Sequence, residues 1–244
     1  MRIETLAVRL RPRTTTEAAD LGVRLCQAAA ADVYRAYAVA FVPVVLLASA
    51  TSELAQWLPA LVLWWLKPWL DRTILFVLSR AAFGQATTIA DVWAAQREVW
   101  WRRLLFTLTI RRFSPWRALT EPVYQLEGEP AWRPSPRIRQ LRQRAVGAAF
   151  SMTQSFVMCE LALSISLLSL LFWFAPPGAV PQLGELFNSE PGEWWKRAMW
   201  AAEIAAVFFL EPFYVASGFG MYLNRRAELE AWDLEQEFRR VFAA

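Results

Sequence analysis

The chain of 244 residues has no histidine and only two cysteines, Cys26 and Cys159. Without imidazole, a Ser-His-Asp triad, a histidine-ligated zinc site and an imidazole proton relay are all excluded. The two cysteines stand far apart with no CxxC, so neither a disulfide framework nor a cysteine-rich metal site is indicated. Glycine is scarce at nine residues, and no GxxxxGK[ST], GxGxxG or GxSxG occurs. Gly218-Phe219-Gly220 sits inside an apolar run, not in a phosphate loop. These absences leave no catalytic, cofactor-binding or metal-ligating constellation, and the expectation is a protein that is not an enzyme and has no cofactor. Lysine is nearly missing too: only Lys67 and Lys196 contribute to the 26 cations, and the rest are arginine.

The excess lies in apolar and aromatic residues. The chain is 56% hydrophobic and 20% charged, with 14 Trp and 16 Phe, against about 45–50% apolar and about 25% charged in soluble domains. The apolar residues come in runs too long for ordinary core elements, which reads as a polytopic all-α membrane protein. A net charge of +4 and a pI near 9.4 bring no compact basic motif with them, so no nucleic-acid partner is expected.

Four segments approach the roughly 20 apolar residues that a transmembrane helix needs. They are Ala36 to Ser52 with Pro43 inside, Trp57 to Ser79, a stretch within Ala145 to Ala175, and Trp200 to Leu223. No cleavable signal is evident, so the first span is expected to act as an uncleaved anchor. Arginine sets the orientation. Arg2, Arg9, Arg11, Arg13, Arg24 and Arg35 precede the first span, and Arg80 to Arg144 holds twelve Arg against Asp91, Glu98, Glu121, Glu127 and Glu129. By the positive-inside rule, both termini and the long connection are cytoplasmic. The organisation is then a cytoplasmic amphipathic segment (1–35), a first transmembrane pair (36–80), an Arg-rich connection (81–144), a second pair (145–224) and a charged cytoplasmic helix (225–244). Trp57, Trp194, Trp195 and Trp200 suit a belt at the opposite face.

Several cytoplasmic stretches read as amphipathic helices. Thr14 to Glu17 and Thr88 to Asp91 carry capping-box spacing. The second leads into DVWAAQREVWWRRLLFTLTI, where Trp93, Trp100, Leu104 and Leu108 form one helical stripe beside Arg97, Arg102 and Arg103. Such a stripe suits either the lipid headgroup layer or another helix of the same protein. Ser114 to Pro136 holds five prolines and reads as a turn-rich linker. Arg137 to Arg144 reads as an extension of the third span.

An internal echo adds charge to this plan. Shifted by 144 positions, LWWLKPWL (Leu63 to Leu70) overlies VFFLEPFY (Val207 to Tyr214), with Pro68 on Pro212 and Lys67 on Glu211. This predicts a two-fold repeat with two Pro-broken spans and a Lys67–Glu211 pair near mid-bilayer. Each proline orphans the carbonyl four residues earlier, Trp64 and Phe208. Asp71, Arg72 and Glu160 complete a candidate intramembrane cluster with one net negative charge, which leaves one acid to sit protonated. The cluster reads as a packing device or as part of an ion or substrate path. A third reading has Lys67, Asp71 and Arg72 snorkelling to an interface.

The tail supplies a candidate docking surface: Arg225, Arg226, Glu228, Glu230, Trp232 and Asp233, which can meet the protein's own Arg-rich connection or a separate partner. The stretches EPFYVASGFGMYLNRRAELEAWDLE, LWWLKPWLDRTILFVLSRAAFG, LRPRTTTEAADLG and PVYQLEG (Pro122 to Gly128) resemble an uncharacterised group of proteobacterial inner-membrane proteins. Members of that group are associated with MoxR-type AAA ATPases and von Willebrand factor A-domain proteins. The resemblance implies an envelope-associated assembly and transfers no functional residue. The expected function is a scaffold or partner subunit of such a system. The alternative is a small transporter or proton-conducting subunit using the charge cluster; four spans are few for a monomeric transporter, so a homodimer is the expectation under that alternative.

Overall fold

Two capping boxes set the first helix starts. The Thr14 hydroxyl accepts from the Glu17 N–H at 3.3 Å while Glu17 accepts from the Thr14 N–H, opening α1 (Thr15–Ala28). Thr88 and Asp91 repeat the arrangement at the start of α4 (Ile89–Ala94). The computed structural model describes residues 13–128, 136–143, 145–174 and 192–230. Its other helices are α2 (Ala30–Ala50), α3 (Leu58–Ala81), α5 (Leu104–Leu108), α6 (Arg117–Leu126), α7 (Pro136–Arg142), α8 (Val146–Phe174) and α9 (Glu193–Glu230). No strand occurs among the described residues, and the fold is all-α.

Three stretches are long and apolar enough to cross a membrane: Ala30–Glu53, Val146–Leu170 and Glu193–Leu229. At 24 residues α3 has the length, but Lys67, Asp71 and Arg72 within six residues remove the apolar character.

The long α9 organises the packing. Along it lie α1, α8, α6 and α3, and α2 packs on α3. Glycine permits the closest of these approaches. A Cβ on Gly220 would stand 2.1 Å from the Ala18 carbonyl oxygen, and one on Gly22 would stand 1.9 Å from that of Ala216. The Ala216/Gly220 spacing therefore brings α1 into backbone contact with α9. The Asn224 side chain then clasps Arg13, accepting from its N–H at 2.9 Å and donating to its carbonyl at 3.0 Å. Helix α2 runs antiparallel to α9: Trp200 donates to Ser49 at 2.9 Å, and Tyr34 donates to the Phe209 carbonyl at 2.8 Å.

Several local expectations are corrected. Neither Pro68 nor Pro212 breaks its helix; α3 and α9 continue through them, as α2 does through Pro43. A proline removes one donor and one carbonyl partner, and close packing by neighbouring helices holds the remaining turns in line. The proline-rich stretch after Ser114 is no simple linker. It forms α6 with Pro122 inside, because Ala118, Leu119 and Val123 are buried in the core and outweigh the propensity cost. Arg137 to Arg142 lies in a separate α7 rather than in an extended α8.

The expected helix from Asp91 to Ile110 is interrupted by a wide turn at Arg97–Trp101 and by Arg103 in the left-handed region at φ 61°. Its stripe splits accordingly. Trp100 turns inward and donates to the Thr73 hydroxyl at 2.9 Å, while Trp93 stays exposed.

Candidate functional site

Four of the five charges singled out from the sequence converge with Arg117 of the connection, and the fifth meets Glu121 and, through it, Arg111. Lys67 on α3 reaches Glu211 on α9 at 3.0 Å and Glu160 on α8 at 2.5 Å. One turn along α3, Asp71 meets Arg117 of α6 at 2.8 Å, and Arg117 also reaches Glu211 at 3.4 Å. The fifth, Arg72, points into the connection. It donates to the carbonyls of Arg102 at 2.5 Å and Glu98 at 2.7 Å, and stands 3.9 Å from Glu121. Glu121 is held by Arg111 at 2.5 Å. Lys67, Asp71, Arg72, Arg111, Arg117, Glu121 and Glu211 are all buried.

The network therefore balances, with Lys67, Arg72, Arg111 and Arg117 against Asp71, Glu121, Glu160 and Glu211. This corrects the expectation of an acid without a partner: Arg117 is the missing cation. It also corrects snorkelling, since the α3 charges turn inward to partners. Sequence reading missed Arg111, Arg117 and Glu121 because charged residues in a proline-rich connection look like a solvated face. The available signal was the deficit of one positive charge in the cluster, which some other arginine had to supply.

The charges stand where α3 changes surroundings. Leu61 and Trp64 are open on one side, whereas Leu70 to Leu75 are enclosed by protein. The connection climbs α3 to that level: Phe113 packs edge-on against Trp65 and Trp64, and Thr153 of α8 donates to the Pro115 carbonyl at 2.7 Å.

Beside the network lies a cavity of about 1460 Å³, lined on its charged side by Lys67, Arg112, Arg117, Glu160, Glu203 and Glu211. Leu161, Ile165 and Leu168 of α8 and Trp64 of α3 form part of its apolar wall. Arg112 is 8% exposed and its guanidinium stacks 3.4 Å from the centre of the Trp64 ring. Burial, followed by the neighbouring Arg117 charge, lowers the Arg112 pKa to about 10, which leaves it cationic at neutral pH. Among the described residues, no group of three or more Cys, Asp or Glu side chains is placed to hold a metal ion.

The first part of the candidate docking surface is engaged internally. Arg225 pairs with Glu228 at 2.6 Å and donates to the Gln140 carbonyl at 3.3 Å. Arg226 donates to the Tyr222 hydroxyl at 3.2 Å. Tyr222 in turn donates to Glu127 at 2.7 Å, which also accepts from Arg137 at 3.0 Å. Thus α9, α6 and α7 are tied together at this end. Trp232 and Asp233 lie outside the described residues, as does the side chain of Glu230. No protein-family model, curated protein or solved structure matches the chain.

Proposed function

We propose that the chain is a non-enzymatic, multi-pass scaffold of a bacterial inner membrane, in which the charge network fixes the Arg-rich connection to the spans. The observation that carries this reading is pairing: each carboxylate of the network faces a cation within 4 Å, and two of those cations, Arg111 and Arg117, come from the connection. Charges held this way specify an arrangement, in keeping with the registry role of buried polar groups. In this reading α3 is the fourth span, its charges turned to protein, and both termini lie in the cytoplasm. The antiparallel course of α2 and α9 supports that parity, and the Lys67–Glu211 contact supports a repeat-like pairing of α3 with α9. The resemblance to inner-membrane proteins associated with MoxR-type AAA ATPases and von Willebrand factor A-domain proteins makes such proteins the partners to seek. The remaining tail beyond Glu230 is the surface to offer them.

A second reading, a transporter or proton-conducting subunit, is favoured by one feature, the exposure of Lys67, Glu160 and Glu211 to the cavity. Lys67→Met separates the two. Removing one partner from a buried pair costs about 3–5 kcal/mol, so under the scaffold reading the variant melts earlier in detergent and recovers fewer copurified proteins from membranes. A variant that keeps wild-type stability and partner recovery but loses proton or solute flux in proteoliposomes overturns the scaffold reading.

A further inference from the structure

Arg112 is the one buried cation near the network with no carboxylate within 4 Å among the described residues. Its Nε and Nη2 atoms have no hydrogen-bond partner. A buried guanidinium left in this state carries a desolvation cost that an anion in the cavity would offset. Of the carboxylates lining the same cavity, Glu160 and Glu211 are committed to Lys67, and Glu211 also to Arg117, while Glu53, Glu193 and Glu203 form no ion pair with Arg112. Trp64 covers one side of the guanidinium, and the unpaired Nε/Nη2 edge has the fork geometry that bidentate recognition of phosphate uses.

The rest of the cavity specifies the body of the ligand. Its volume of about 1460 Å³ exceeds the roughly 300–1,000 Å³ of a drug-sized site. Leu161 and Ile165, on the apolar wall, are more than half exposed on a helix apolar enough to cross a membrane. A bare anion would leave that wall uncovered, and a bare hydrocarbon would leave Arg112 unpaired.

The geometry points to a binding site for a phosphate-bearing membrane lipid, with the phosphate on Arg112 and the acyl chains along α8 beside Trp64. The test uses full-length protein, delipidated in neutral detergent and titrated while its melting temperature and native mass spectrum are followed. Phosphatidylglycerol is expected to bind and raise the melting temperature, whereas diacylglycerol, which lacks the phosphate, and inorganic phosphate, which lacks the chains, bind at least about tenfold more weakly. Arg112→Gln is expected to weaken phosphatidylglycerol by about tenfold or more, and Arg112→Lys to retain part of the affinity, since it keeps the charge without the fork. Equal binding of diacylglycerol overturns the role of Arg112, and equal binding of inorganic phosphate overturns the lipid assignment. Unchanged phosphatidylglycerol affinity in folded Arg112→Gln overturns the site itself. The three wild-type titrations decide the matter even where the substituted chain does not fold.

Discussion

At the scale of single residues, the charges of this protein act by where they are held. Glu127 illustrates the point outside the spans. Burial alone would raise its pKa; hydrogen bonds from Arg137 and Tyr222, with the charges of Arg137 and Arg226, outweigh that and hold it below the usual carboxylate range. A depressed folded pKa contributes stability that is fully present above the unfolded value, about 4.3, and is lost as pH falls through the folded one. Glu127→Gln should therefore cost about 1–3 kcal/mol at pH 7, the range for hydrogen bonds to a charged group. The wild-type and variant melting temperatures should converge as pH is lowered below about 4. A gap that stays constant between pH 7 and pH 3 would sink the assignment. Lys67 faces two acids at once in the protein interior; its replacement strands Glu160 and leaves Glu211 to Arg117 alone, so the loss should exceed that from replacing Glu160.

At the scale of elements, α9 is a rail whose small residues decide how closely others approach. Gly22 and Gly220 let α1 touch its backbone, and Gly218 does the same for α6, where a Cβ would stand 2.4 Å from that of Ala118. Backbone atoms cannot yield as side chains do, so Gly220→Leu should push α1 away. Because overpacking in cores costs about 1–3 kcal/mol, the expected result is a lower melting temperature with faster proteolysis around α1. The Arg13–Asn224 clasp should open with it. A variant as protease-resistant as the wild type would show that α1 does not depend on this approach. The same scale explains why α6 survives Pro122: its apolar residues, buried in the core, supply what the missing N–H removes.

At the scale of the whole molecule, the connection and the helices form one body. Exposed apolar residues stand on α2 (Val42, Leu46 and Leu47), on the connection (Trp101, Leu105, Ile110 and Phe113) and on α8, and those of the connection suit lipid or headgroups. The proposed four-span topology makes a direct prediction. In a chain with Cys26 and Cys159 replaced by serine, cysteines placed at Asp20 and at Arg97 should be labelled from the same side of sealed vesicles. One at Glu53 should be labelled from the other side. Labelling of Asp20 and Glu53 from one side would remove α2 as a span, and opposite labelling of Glu53 and Gly192 would remove the four-span parity.

Much of this protein is legible from its residues alone. Apolar run length fixes α2, α8 and α9 as helices fit for a bilayer, two capping boxes locate the starts of α1 and α4, and charge inside apolar sequence marks Lys67, Glu160 and Glu211. The echo even aligns the two residues that meet. These are local properties, set by hydropathy, by backbone donors at helix ends and by the cost of an ion away from water. What the tertiary structure alone decided is which charges answer them. Arg117 lies 46 positions from Asp71 and 94 from Glu211, in a stretch whose prolines and arginines read as solvated linker. Long-range pairing leaves no trace in spacing, because it depends on three elements arriving at one point. For the same reason only the fold shows Arg112 stacked on Trp64 without a carboxylate, at the edge of a cavity that no local pattern describes.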